Sequence, residues 1–159
     1  MIGRLHHIVL DCPEPAALAR FYSELLGWPI TWQRPDFVVV AVHDRSSGLA
    51  FQLAAEYRAP DWPDPARPQQ LHLDVMVEDL DEAEPKVLAL GARRLPVPEV
   101  ASGQASGPGP RVFADPAGHP FCLIPRPSWA PPIGSPDGSP DGSPGDSPGS
   151  SAPSAGAGR

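Results

Sequence analysis

Lysine is almost absent from this chain: Lys86 stands alone among 12 basic residues, against 19 acidic ones. The formal net charge is −7 and no basic stripe exists to neutralise a phosphate backbone, which excludes nucleic acid as the expected partner. Cysteine is scarce too. Cys12 and Cys122 are too few for a disulfide scaffold, so a reduced, cytoplasmic setting is expected. No apolar run approaches the ~20 residues that cross a bilayer, so no membrane association is expected. The first residues enter a strand pattern without a charged-then-apolar leader, and no secretory signal is read there.

Proline and glycine are plentiful, and they are unevenly placed. Residues 126–159 hold eight Pro, seven Gly and eight Ser among 34 positions, with Gly134-Ser135-Pro136-Asp137 echoed by Gly138-Ser139-Pro140-Asp141. Such a segment buries too little apolar surface to offset its ordering entropy and reads as a disordered acidic tail. The spaced Asp137, Asp141 and Asp146 are read as solvated linker positions, not as a calcium repeat.

The remaining residues, 1–125, contain one pattern twice. Leu5-His6-His7-Ile8-Val9-Leu10 leads into a helical pattern ending at Leu26-Gly27, and Leu71-His72-Leu73-Asp74-Val75-Met76-Val77 into another ending at Leu90-Gly91. From His7 to Gly27 is 20 positions; from His72 to Gly91 is 19. The duplication predicts module one over 4–54, a proline-punctuated linker over 55–69 and module two over 70–125. In module one, a strand at Leu5–Asp11 precedes a helix at Pro15–Leu26, where Pro15 suits the first turn and Gly27 the left-handed stop. Strands follow at Ile30–Arg34, Phe37–Val42 and Leu49–Ala54. Module two repeats the order with Leu71–Val77, a helix at Leu80–Leu90 that Pro85 bends or delays, then Ala92–Val97, Arg111–Ala114 and Pro120–Ile124. Asp115-Pro116-Ala117-Gly118 is a turn, and Glu99–Gly109 a mobile loop and candidate lid.

Strand alternation sorts these residues by face. Ile8, Leu10, Leu49, Phe51, Leu73, Val75, Phe121 and Leu123 make purely apolar faces that should carry the helices. The opposite faces are mixed and hold His7, Asp11, Gln52, His72, Asp74, Met76 and Cys122. Convergent polar groups on a partly apolar surface are what a ligand cleft needs. His6 alternates to the helix side, and His119 is read as satisfying its hairpin.

Paired modules of this kind resemble the vicinal oxygen chelate superfamily of glyoxalase I, bleomycin-resistance proteins and extradiol dioxygenases. The residues that carry the resemblance include His6-His7-Ile8-Val9-Leu10-Asp11, Phe21-Tyr22 with Leu25-Leu26-Gly27-Trp28, Leu71-His72-Leu73-Asp74, and Asp115-Pro116-x-Gly118-x-Pro120-Phe121. It covers roughly residues 4–125 and looks most like the glyoxalase-like branch. The resemblance implies an α+β fold, with two β-α-β-β-β modules forming a cupped eight-stranded mixed sheet, helices on the outer face, and a homodimer. It also implies a divalent metal (Zn, Fe, Ni or Mn) held by the first and fourth strands of each module. Those positions fall on His7, Gln52, His72 and Cys122, so both carboxylates expected at the fourth strands are missing.

Two functional readings stay open. In the first, a small-molecule binder of the bleomycin-resistance kind works without a standard metal site. There Asp11, Asp74, Met76 and the tryptophans Trp28 and Trp32 hold a ligand, a cationic one suiting the acidic balance. In the second, His7, Gln52, His72 and Cys122 hold a divalent metal in a lyase, isomerase or dioxygenase. No catalytic residue is assigned.

Overall fold

Proline and glycine punctuation fixes the first helix. In the computed structural model, which describes residues 2–96 and 109–134, α1 (Pro15–Leu26) opens on Pro15 and closes on Gly27 at φ 69°. Leu18, Ala19, Phe21 and Tyr22 recur along one face and are buried. The helix follows β1 (His7–Cys12) and precedes β2 (Ile30–Arg34), β3 (Phe37–Ala41) and β4 (Gly48–Leu53). A second unit repeats the order: β5 (Leu73–Val77), α2 (Leu80–Ala89), β6 (Arg93–Arg94), β7 (Arg111–Ala114) and β8 (Pro120–Pro125). Pro85 does not delay α2. Asp79 accepts from the backbone N–H groups of Asp81 and Glu82 at 2.7 and 3.0 Å, and this cap sets the start at Leu80.

The eight strands pair as two four-stranded sheets, ordered β1-β4-β3-β2 and β5-β8-β7-β6. β1 lies parallel to β4 and β5 parallel to β8, while the other neighbours are antiparallel. This is the α+β architecture of two β-α-β-β-β modules that the duplication predicted.

One core serves both sheets. Leu10, Leu49 and Phe51 of the first and Phe121 and Leu123 of the second pack with Phe21 and Tyr22 of α1. The Tyr22 ring stacks on Phe51 at 5.3 Å and meets Phe121 at 6.5 Å. The apolar faces read from alternation are the faces in this core apart from Ile8, which is 37% exposed near the start of β1. The mixed faces lie outside it and carry smaller patches: Val39, Ala41 and Ala50 on one, Leu95, Val112 and Ala114 on the other. Large apolar side chains there stay open to solvent, with Val9 44% and Met76 40% exposed.

The segment after β8 does not leave the domain at once. Arg126 pairs with Glu78 at 2.8 Å, the backbone N–H of Ile133 donates to Glu78 at 2.7 Å, and Ala130 is buried. Positions 135–159, which hold most of the segment read as a tail, lie outside the described residues, as does nearly all of the loop read as a lid. Among the described residues no helix is long and apolar enough to cross a membrane.

Candidate functional site

The parallel pairing of β5 with β8 sets Asp74 directly beside Cys122. His72 precedes β5 by one residue, and the two-residue period turns it to the same face as Asp74. The imidazole, carboxylate and thiol converge with their ligating atoms within 4.8 Å of one another. His72 Nε2 stands 3.5 Å from Asp74 Oδ1. Burial pushes the Cys122 thiol up to about 11, and the charge and hydrogen bond of Asp74 push the same way. At neutral pH the sulfur keeps its proton and donates it to Asp74.

Of the four positions assigned to a metal by resemblance, this group contains His72 and Cys122. It gains Asp74, which alternation had assigned to ligand binding. His7 lies outside it. Its ring sits 3.7 Å from that of His6, and both line a pocket of about 390 Å³ with Trp32, Phe37 and Asp44. His6 thus shares a pocket with His7 instead of lying under a helix, its ring turned against that of His7. Burial, then the neighbouring His6, lowers the His7 pKa, and His7 Nδ1 is buried without a hydrogen-bond partner among the described residues.

The other candidates are dispersed. Gln52 pairs with Asp11 across β1 and β4, and both are exposed. Trp32 is 47% exposed, with the Arg34 guanidinium 5.3 Å above its ring. Trp28 packs against the main core, and its carbonyl accepts from Ser23 Oγ at 2.6 Å. Met76 lines a groove beside α2 that also includes Leu25 and Val87.

One cluster had no reading beyond its hairpin. Asp115, at the Asp-Pro-x-Gly turn, is 4% exposed and its carboxylate accepts four hydrogen bonds. Donors to Oδ2 are Tyr22 O–H at 3.0 Å and His119 Nδ1 at 2.8 Å; donors to Oδ1 are the N–H groups of Ala117 and His119 at 2.9 and 3.0 Å. His119 Nε2 in turn lies 3.0 Å from Tyr57 Oη and 3.0 Å from the Asp11 carbonyl. Burial raises the pKa of both Tyr22 and Tyr57, and the charge of Asp115 adds to it. The available sequence signal was the spacing of Asp115 and His119 across a tight turn. Tyr22 and Tyr57, 93 and 62 positions from their partners, carried none.

The duplicated β-α-β-β-β modules are those of the vicinal oxygen chelate class of proteins. The profile of the glyoxalase-like domain matches residues 7–124, and the chain belongs to that family. No curated protein matches its sequence. Among solved structures, it is similar to a glyoxalase/bleomycin resistance protein/dioxygenase family enzyme from Burkholderia phytofirmans PsJN. Identity there is 16%, coverage 77% of this chain and 98% of that one, and the TM-score 0.57. It is also similar to the fosfomycin resistance protein FosX from Listeria monocytogenes, with 17% identity, 81% and 98% coverage and a TM-score of 0.57. A mutant of FosX complexed with Mn(II) and 1S,2S-dihydroxypropylphosphonic acid matches with 17% identity, 77% and 90% coverage and a TM-score of 0.56. At these identities the likeness is one of fold.

The donor set can be tested against a metal directly. One imidazole nitrogen, one carboxylate oxygen and one sulfur suit a borderline ion such as Zn²⁺, which leaves a fourth position open when three protein groups bind it. A thiol is a poor partner for Mn²⁺, which prefers oxygen. The His72–Asp74–Cys122 group therefore fits zinc better than manganese, and the Cys122 proton must leave as the ion enters.

Proposed function

We propose that this protein binds a small molecule on the mixed face of its second sheet, with His72, Asp74 and Cys122 as the polar anchor. The observation that carries this reading is the convergence of those three side chains beside exposed apolar surface. Without a metal, the thiol donates to Asp74, leaving the imidazole and the second carboxylate oxygen available to a ligand. The exposed carboxylates favour a ligand with a hydrogen-bond donor or positive charge, in keeping with a net charge of −7. Val9 and Met76, both exposed on mixed faces, favour a homodimer in which a second copy covers this surface and closes it into a cavity.

A second reading rests on the same three groups. Their donor chemistry suits a divalent ion, which would polarise a bound oxygen as in metal-assisted lyases, isomerases and dioxygenases. In that case His72, Asp74 and Cys122 would hold the ion and orient it.

A thermal-shift screen of small cationic and neutral compounds, run with and without Zn²⁺ on the wild type and on His72→Ala, separates these readings. Stabilisation without zinc that disappears in His72→Ala supports the binder. Stabilisation that needs one equivalent of zinc supports the enzyme. A screen in which no compound depends on His72 under either condition refutes both.

A further inference from the structure

A second pocket, of about 410 Å³, opens where the linker crosses β1, and none of His72, Asp74 and Cys122 lines it. Its walls are apolar, built by Val9, Pro60, Pro68, Leu71 and Pro120. The polar groups set into those walls differ in what they offer.

Asp115 fixes the first of them. All four contacts of its carboxylate are with donors, so His119 carries its hydrogen on Nδ1 and presents a bare Nε2 when neutral. That nitrogen also lies 3.0 Å from the Asp11 carbonyl, and its other contact at 3.0 Å is with Tyr57. The Tyr57 phenol oxygen is an acceptor for anything in the pocket. Gln69 Oε1 is a second acceptor, buried and without a hydrogen-bond partner among the described residues. An acceptor left in that state has lost water without gaining a partner, and a ligand donor would restore one. The Asp11 carboxylate, also in the lining, is a third.

The opposite character comes from arginine. Arg67 is neutralised by Asp61 at 2.5 Å. Arg58 has no ion-pair or hydrogen-bond partner among the described residues and supplies an uncommitted guanidinium. Among its described lining residues the pocket thus combines acceptors on Tyr57, Gln69 and Asp11 with the exposed guanidinium of Arg58 along apolar walls.

We propose that this pocket binds an apolar α-amino acid. The ammonium meets Tyr57 Oη, Gln69 Oε1 and Asp11, the carboxylate meets Arg58, and the side chain lies among the prolines and Leu71. A guanidinium is suited to a carboxylate by its planar fork of donors. The site is independent of the His72 group.

Isothermal titration of the full chain with L-phenylalanine, 3-phenylpropionate and 2-phenylethylamine tests it. L-Phenylalanine binds, and each analogue, lacking one charged end, binds at least about tenfold more weakly. Arg58→Gln weakens L-phenylalanine by about tenfold and leaves 2-phenylethylamine unchanged, while Asp11→Asn weakens 2-phenylethylamine and spares 3-phenylpropionate. Tyr57→Phe, which removes an acceptor without altering the walls, also weakens L-phenylalanine. His72→Ala changes nothing. The proposal is overturned if L-phenylalanine fails to bind, if the three probes bind equally, or if Arg58→Gln has no effect. Binding abolished by His72→Ala overturns it as well, by placing the amino acid at the other site.

Discussion

Replacing Asp115 by alanine tests whether one buried carboxylate ties the β7–β8 turn to α1 and to the linker. Its side chain is fully buried and accepts Tyr22 O–H at 3.0 Å, His119 Nδ1 at 2.8 Å and two backbone N–H groups at 2.9 and 3.0 Å. A hydrogen bond to a charged group contributes about 1.5–3 kcal/mol, but four on one acceptor do not add independently. Breaking a buried charged network by removing one member costs about 3–5 kcal/mol. For a domain of this size that lowers Tm by on the order of 10–20 °C. Asp115→Asn keeps the oxygen that serves the two backbone donors and loses about half as much. Tyr22→Phe removes one donor and loses about 1–2 kcal/mol. Urea denaturation followed by circular dichroism measures all three, and the double mutant Tyr22→Phe/Asp115→Asn measures their coupling. An Asp115→Ala protein within about 0.5 kcal/mol of the wild type would refute the reasoning, since that is the scale of a neutral surface substitution.

Three further outcomes follow from the same packing. Gly118 has φ +99° and a Cβ there would sit 2.7 Å from Ala59 Cβ, so Gly118→Ala destabilises by about 1–3 kcal/mol in the same urea assay. Arg111 bridges Glu84 at 2.6 Å, the Leu80 carbonyl at 2.8 Å and Asp81, all in α2, so Arg111→Ala lowers the unfolding midpoint in the same assay, less so at high salt. Cys12 is raised by burial from 9.0 to about 11. A raised folded pKa gives stability that is complete below 9 and lost as pH climbs to about 11. Unfolding free energies measured across that window fall for the wild type and less steeply for Cys12→Ala.

The parts of this fold that punctuation and periodicity govern were legible in the sequence. Pro15 and Gly27 bound α1 as expected, and alternation placed Leu10, Phe51, Phe121 and Leu123 in the core. It also placed His72 and Cys122 on one face. Whether two side chains on one face touch depends on register between strands far apart in sequence, which alternation does not specify. The pairing of Asp74 with Cys122 is such a register, and it moved Asp74 from an isolated acid to the centre of the candidate site. The network around Asp115 was hidden for the same reason. Its turn was legible, whereas Tyr22 and Tyr57 reach it only through the packing of α1 and the linker. The end of α2 that Pro85 was expected to shift is held by Asp79, a local cap outweighing a local breaker.

Central to this account is the behaviour of His72, Asp74 and Cys122 as one group, and the most direct test is the rate of Cys122 alkylation against pH, followed site by site by mass spectrometry. The predicted midpoint is about 11, moving down in Asp74→Asn as the carboxylate charge is removed while burial still holds it above 9.0. A midpoint at the ordinary thiol value, unchanged in Asp74→Asn, would show that Asp74 and Cys122 are not in contact and would contradict the site.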